Sequence, residues 1–270
     1  DKMGFRFCTI TSGSSGNCIY IGTPKVNLLI DAGISGKRVQ MGLEEINVNP
    51  KEIDGILVTH EHSDHIKGIG ILSRRFDIPL FATAKTWEAM DDMGKVIGKI
   101  NQENRIIIEK EKDFIMEDLL IHPYSIPHDA ADPVGYTFIH GDRKISMATD
   151  LGHINEHIKN NIRESNLILL ESNHDIDMLR SGSYPYYLKQ RILGEQGHLC
   201  NEMAGRMLAQ VFHENLRTVI LGHLSKENNY PDLAYISVKN ELISEGIEVD
   251  ERVELIVADR DKVSKVFDVL

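Results

Sequence analysis

The chain has 270 residues, 41% of them hydrophobic, with 41 acidic against 30 basic side chains and a formal net charge of −11. That length suits one large α/β domain, expected over residues 3–270, and the acidic balance argues against a protein that coats nucleic acid through a broad basic surface. No window approaches the run of about 20 apolar residues that a membrane-spanning helix needs, so no membrane partner is expected.

Asp1 and Lys2 precede Met3 and read as a remnant ahead of the natural start. The next segments read as short strands over 5–11, 18–22 and 26–31, separated by the Ser/Gly loop 12–16 and the turn at Pro24. Ser35 is placed to cap a helix running to about residue 46, a buried strand follows over 56–59, and residues 64–76 carry apolar side chains at helical spacing. A short strand at 80–82 and a helix from Thr86 come next.

Strands then dominate, at 105–109, 114–116, 119–124, 134–140 and 144–149. A helix over 155–163, a strand over 167–171, helices over 186–193 and 202–212, a strand over 218–221, a helix over 232–244 and a last strand over 253–257 complete the reading. Two strand-rich blocks, each with its own helices, predict two sheets packed face to face with helices outside. No fixed-period repeat and no low-complexity linker divides them. Cys8, Cys18 and Cys200 are odd in number and lack C-x-x-C spacing, which points away from a disulfide framework or thiolate metal site and towards the reducing cytoplasm.

The segment richest in chemistry is Thr59-His60-Glu61-His62-Ser63-Asp64-His65, directly after the apolar run Gly55-Ile56-Leu57-Val58. It places four nitrogen or oxygen donors for divalent cations, in an H-x-H-x-D-H pattern, where a strand ends and a loop can turn them inward. In extended backbone His60 and His62 project to one side, whereas Asp64 and His65, at the turn into a helix, reach a neighbouring position. Two adjacent cations follow, and further ligands are expected just after later apolar strands: His128, Asp150 and His223. Taken singly, each of those three reads by default as a cap or core residue; their shared placement after buried strands is what recruits them.

Five signals in order, namely Asp31 in Leu29-Ile30-Asp31-Ala32-Gly33, the His60–His65 block, His128, Asp150 and His223, resemble the five motifs of the metallo-β-lactamase superfamily. The resemblance implies an αββα four-layer sandwich in which His60, His62 and His128 hold one metal, Asp64, His65 and His223 hold the other, and Asp150 bridges. Asp31 would orient the histidine loop, and Asp64 would also serve catalysis. Four further segments, Ser12-Gly13-Ser14-Ser15-Gly16-Asn17-Cys18, Glu171-Ser172-Asn173-His174-Asp175, Gly182-Ser183-Tyr184-Pro185-Tyr186-Tyr187-Leu188 and Gly222-His223-Leu224-Ser225-Lys226-Glu227-Asn228-Asn229, resemble the bacterial WalJ/YycJ family. That resemblance implies a cytoplasmic 5′-to-3′ DNA exonuclease using manganese or a similar divalent ion, with a link to mismatch repair.

Two divalent cations with ionised Asp64 and Asp150 leave the site about +2 before any hydroxide is counted, so an anionic substrate is expected. A bridging hydroxide is the expected nucleophile for phosphodiester hydrolysis, since no G-x-S-x-G elbow or Cys/His pairing signals a protein nucleophile. His174 stands as leaving-group acid or phosphate contact, or equally as a cap or surface histidine. The Ser14, Ser15 and Asn17 loop offers backbone N–H groups to a phosphate or is a plain hairpin turn, and Lys226, Asn228 and Asn229 are placed to contact a nucleic-acid backbone. His198 has no assigned role; His122, His140, His153, His157 and His213 read as structural or exposed. The metal reads as Mn or Zn, with Fe compatible, and the residues leave the choice between DNA and RNA open. The competing reading is a small-molecule hydrolase of the same fold acting on a cyclic phosphodiester, thioester or lactam. A binding protein that kept the fold without the chemistry is the third, opposed by the complete ligand set.

Overall fold

Apolar residues on successive strand positions face opposite sides of a sheet, and here both sides are covered. The computed structural model describes residues 4–269, so Asp1, Lys2, the expected start at Met3 and Leu270 lie outside the described residues. One seven-stranded sheet contains β1 (Phe5–Thr11), β2 (Cys18–Gly22), β3 (Asn27–Ile30), β4 (Gly55–Leu57), β5 (Leu80–Thr83) and β6 (Arg105–Ile108). The other, also of seven strands, contains β7 (Phe114–Met116), β8 (Leu119–Ser125), β9 (Val134–His140), β10 (Arg143–Ala148), β11 (Leu167–Glu171), β12 (Thr218–Gly222) and β13 (Glu254–Val257). The last strand, β14 (Phe267–Val269), returns to the first sheet and pairs antiparallel with β1, Phe267 opposite Phe7.

The alternation divides the core into three apolar layers. Ile19, Ile21, Leu28, Ile30, Leu167, Leu169 and Ile220 fill the space between the sheets. Their neighbours Cys18, Tyr20, Leu29 and Ile56 face α1 (Gly36–Glu45), α3 (Ile69–Phe76) and α4 (Ala84–Asp92), which supply Val39, Leu43, Leu72, Trp87 and Met90. On the other side Ile168, Leu170, Val219 and Leu221 meet α5 (Glu156–Ile162), α8 (Asn201–Val211) and α9 (Pro231–Ser244). The result is the expected αββα four-layer sandwich, with both sheets mixed: β3 to β6 and β10 to β13 run parallel, and the remaining pairs are antiparallel.

Three local departures from the sequence reading have identifiable causes. The helix expected over 64–76 is broken into α2 (Ser63–Ile66) and α3 at Gly68, whose N–H donates to the Ala32 carbonyl at 2.7 Å. A Cβ at Gly68 would sit 2.2 Å from the Ile34 carbonyl oxygen, so the break is where the 32–34 loop crosses the helix. α4 starts before Thr86 because Thr83 is its cap, accepting from the Thr86 N–H at 3.3 Å. The helix α6 (Ile176–Ser181), capped by Asp175, and strand β14 are additions; both are too short to show a period in sequence.

Leu169 is fully buried between the sheets. Leu169→Ala should cost roughly 2–5 kcal/mol, because the layer cannot collapse around the deleted atoms without moving both sheets. Urea unfolding should show a lowered midpoint at unchanged slope.

Candidate metal centre

The parallel strands end at one edge of the sandwich, which gathers side chains from both sheets. His60 follows β4, and His62 stands at the N-cap of α2, with Asp64 and His65 in its first turn. His128 follows β8, Asp150 follows β10 and His223 follows β12 directly. Asp31, Asp150 and His223 all adopt left-handed backbone, with φ of 57°, 59° and 57°. Such positions are costly for residues other than glycine and persist where surrounding contacts over-determine them.

Two buried carboxylates supply those contacts, one from each sheet. Asp31, just past β3, accepts the Thr59 N–H (2.8 Å) and hydroxyl (2.7 Å) and pairs with His65 Nδ1 at 2.6 Å. Since the Thr59 hydroxyl proton is committed to Asp31, His60 Nδ1, 2.9 Å from that oxygen, must donate to it. Both rings are thereby turned so that Nε2 faces the centre. Glu171, the last residue of β11, does the same from the other sheet. Its Oε1 lies 2.8 Å from both His223 Nδ1 and His198 Nδ1, while Oε2 accepts the N–H groups of Leu151 (2.8 Å) and Leu199 (3.0 Å). His128 completes the pattern, Nδ1 lying 3.3 Å from the Gly197 carbonyl.

The atoms turned inward crowd together. His65 Nε2 is 3.4 Å from both Asp64 Oδ2 and Asp150 Oδ2, His223 Nε2 is 3.5 Å from Asp150 Oδ1, and His128 Nε2 is 3.5 Å from Asp150 Oδ1 and 3.3 Å from His62 Nδ1. His60 Nε2, Asp150 Oδ2 and His223 Nε2 are buried and have no hydrogen-bond partner among the described residues. Leaving such atoms unpaired is expensive, and a cation among them is the arrangement that satisfies all three. His60, His62 and His128 form one set with donor atoms mutually within 4.8 Å, and Asp64, His65 and His223 another. The donors, imidazole nitrogens and carboxylate oxygens without thiolate, fit a divalent ion such as zinc or manganese.

Charge follows the same division. Burial pulls His60 well below the ordinary histidine value, helped by the neighbouring imidazoles. Burial also pulls on His65 and His223, but the carboxylates around them, Asp64 and Asp150 with Asp31 or Glu171, outweigh it and hold both well above. Asp64, Asp150 and Glu171 resist burial, held below the usual carboxylate range by the histidines they face. Burial pushes Asp31 up against the opposing pull of His65 and Thr59. A cation at these nitrogens competes with protons, and its binding releases them.

The seven residues expected as ligands converge, and Asp31 contacts His65 as expected. Other expectations need correction. His174 is buried behind the site, its Nδ1 3.2 Å from Asn173 Oδ1, and burial lowers it to about 4; the position facing the pocket belongs to His198. Asn17 is buried, not offered to substrate: its side chain accepts from Gly13 N–H and reaches His65 Nε2 at 3.3 Å and the Asp64 carbonyl at 3.4 Å. Asn228 and Asn229 are also buried, the first bonded to Ser225 and the second to Ser172 and Asn201, so neither meets a nucleic-acid backbone. Of the serine loop, Ser14 lines the pocket and Ser15 is exposed outside it; Lys226 is exposed and likewise outside. Glu171 and His198 are the residues the sequence reading missed. The one signal for Glu171 was an acid closing a strand otherwise made of Leu and Ile.

The pocket holds about 350 Å³, and its lining includes His62, Asp64, His128, Asp150, His198 and His223 together with Tyr184, Leu188, Arg191 and Ile192.

A family model described as a β-lactamase superfamily domain matches residues 26–223. The chain is 41% identical over 253 residues to exodeoxyribonuclease YycJ of Bacillus anthracis, covering 94% of this chain and 95% of that protein. It is also 41% identical over 254 residues to exodeoxyribonuclease WalJ of Streptococcus pneumoniae, covering 93% and 94%. Among solved structures, the metallo-β-lactamase fold protein YhfI of Bacillus subtilis superposes with a TM-score of 0.71 at 15% identity, over 97% of this chain and 99% of that one, a likeness of fold alone.

Asp31→Asn leaves one acceptor oxygen where the carboxylate offers two, so either Thr59 or His65 loses its partner. Divalent-ion affinity, read by calorimetric titration, should fall about 10- to 100-fold.

Proposed function

This chain belongs to the metallo-β-lactamase superfamily, in its WalJ/YycJ family, and from that membership we propose that it is a 5′-to-3′ DNA exonuclease working in the cytoplasm with two divalent ions. The observation that supports the reading is the cluster of His60 Nε2, Asp150 Oδ2 and His223 Nε2, buried and without hydrogen-bond partners among the described residues, beside a pocket that Asp150 and His223 line. His60, His62 and His128 would hold one ion, Asp64, His65 and His223 the other, and Asp150 would touch both. Manganese or zinc suits these donors, and iron is compatible. When bound, such ions lower the pKa of water towards about 7 and stabilise charge on phosphoryl oxygens. Because both sheets contribute donors, residues 3–270 would work as one unit.

The chain's own residues do the rest. Asp31 and Glu171 fix the histidine tautomers, which keeps the donor nitrogens aimed at the centre without reorganisation. His198 engages Glu171 through Nδ1, leaving Nε2 as the nitrogen free to pass a proton to the departing oxygen. His174, whose ring does not line the pocket, drops out of that role. Ser14 at the rim remains placed to meet a phosphate oxygen. The polarity of cleavage comes from the family resemblance.

One observation favours the second reading, a small-molecule hydrolase acting on a cyclic phosphodiester, thioester or lactam: a net charge of −11 offers a long polyanion little attraction away from the pocket. A single assay separates the two. Manganese-loaded protein should shorten DNA labelled at the 5′ end by releasing the label first, while 3′-labelled DNA shortens progressively; defined RNA substrates measure the sugar preference. Asp150→Ala should abolish turnover, and His198→Ala should lower kcat about 10²- to 10⁴-fold with KM little changed. Turnover of a cyclic phosphodiester with DNA left whole would support the small-molecule enzyme instead.

A further inference from the structure

Among the described residues, Arg191 is the only lysine or arginine in the lining of the pocket that holds the ligand cluster. It stands on α7 (Tyr186–Leu193), and the chain just beyond that helix is tied to the metal centre. The His198 N–H donates to the Ile192 carbonyl at 3.0 Å, and the N–H of Asp129, next to the ligand His128, donates to the Gln196 carbonyl at 3.2 Å. The Asp129 carboxylate takes Arg191 Nε at 2.8 Å, while Nη1 and Nη2 have no hydrogen-bond partner among the described residues. The two side chains are 56% and 53% exposed, so the pair orients the guanidinium more than it stabilises the fold.

A second cavity, of about 480 Å³, adjoins the first and shares Arg191 and Gln196 with it. Its other lining residues include Asp129 and Glu195 and none of the seven ligands, so a phosphate entering it is repelled except where Arg191 stands. A strand whose scissile phosphate lies at the cations therefore has one favourable place nearby for its next charge, the guanidinium at the junction of the two cavities.

We propose that Arg191 binds an uncleaved phosphate of the DNA strand, the one next to the phosphate held at the ligand cluster. This rests on the nuclease reading and adds to it the contact that sets the register of the strand. A planar guanidinium offers paired N–H groups that match two phosphate oxygens, and Asp129 holds it in place before the substrate arrives. The neighbouring phosphate is the 5′-terminal one or that of the second linkage; the chemistry of recognition is the same for both.

The test uses manganese-loaded protein and three DNA strands: one unmodified, one with a neutral methylphosphonate at the second linkage, and one with a 5′-hydroxyl in place of the 5′-phosphate. Arg191→Ala should raise KM for the unmodified strand about tenfold, a loss that falls on KM rather than kcat. It should also reduce the slope of log(kcat/KM) against log[salt] by about one. One of the two modifications should cost the wild-type protein a similar factor, and that same modification should cost Arg191→Ala nothing further. Manganese affinity, read by calorimetric titration, should be unchanged in Arg191→Ala and in Asp129→Asn. Unchanged KM in Arg191→Ala, or losses that add for both modified strands, overturns the phosphate contact. A parallel fall in manganese affinity in the two variants also overturns it, making Arg191 a support for the His128 loop. Each of these outcomes leaves the nuclease reading standing, whereas failure of the wild-type protein to cut any strand overturns that reading itself.

Discussion

The site depends on two buried carboxylates turning imidazole rings. Asp31 and Glu171 come from different sheets, and each commits a histidine Nδ1 to a hydrogen bond so that Nε2 points into the space between them. Burying an ionised carboxylate is costly unless its lone pairs are used, and both are well supplied: Asp31 meets Thr59 twice and His65 once, and Glu171 meets two imidazoles and two backbone N–H groups. Because Glu171 also holds the N–H of Leu151, it fixes the chain just beyond Asp150 as well as the ring of His223. One side chain therefore sets the relative position of groups from β10, β12 and the segment ahead of α8.

The sandwich makes this possible because its two parallel strand sets end on the same side. The sheets are also tied there by polar contacts, Tyr136 of β9 donating its hydroxyl to the Val58 carbonyl at 2.7 Å and the Val134 N–H reaching the Thr59 carbonyl at 3.0 Å. Close approach matters as much as bonding. A Cβ on Gly33 would lie 1.6 Å from the Asp64 carbonyl oxygen, so the absence of a side chain at that position lets the 31–34 loop lie directly against the donor-bearing turn. Asn17 fills the remaining gap, its N–H donating to the same Asp64 carbonyl at 2.8 Å. Rigidity of this kind keeps the imidazole and carboxylate donors gathered at the centre.

What sequence reveals depends on how local the signal is. The His60–His65 block is legible because four donors within six residues after an apolar strand have no common use in a surface loop, and the long strands and amphipathic helices show their periods directly. Glu171 and His198 are 27 residues apart, and His223 is 52 beyond Glu171; nothing in spacing says that one carboxylate serves both histidines. His174 misleads for the mirror reason: it follows a buried strand as the ligands do, but its side chain is buried and its backbone bridges to that of Cys200. Asn228 and Asn229 look like surface amides in sequence, while the fold uses them to satisfy backbone and amide groups under α6 and α8. Burial of a polar side chain is a tertiary property, so composition around it carries no trace.

The strongly acidic chain and an anionic substrate are reconciled by where the charge lies. Screening removes interactions between exposed charges beyond about 8 Å, so the surface excess acts weakly at the pocket, whereas cations held among buried donors act at contact distance. The same asymmetry bears on specificity. A protein that neutralises many phosphates binds duplex anywhere, with a steep dependence on salt; one that neutralises few must draw its affinity from the pocket. For the proposed nuclease, overall repulsion and local attraction work together: the acidic surface discourages binding along the interior of a duplex, and affinity has to come from the pocket. An acidic net charge is then compatible with an anionic substrate held at the pocket.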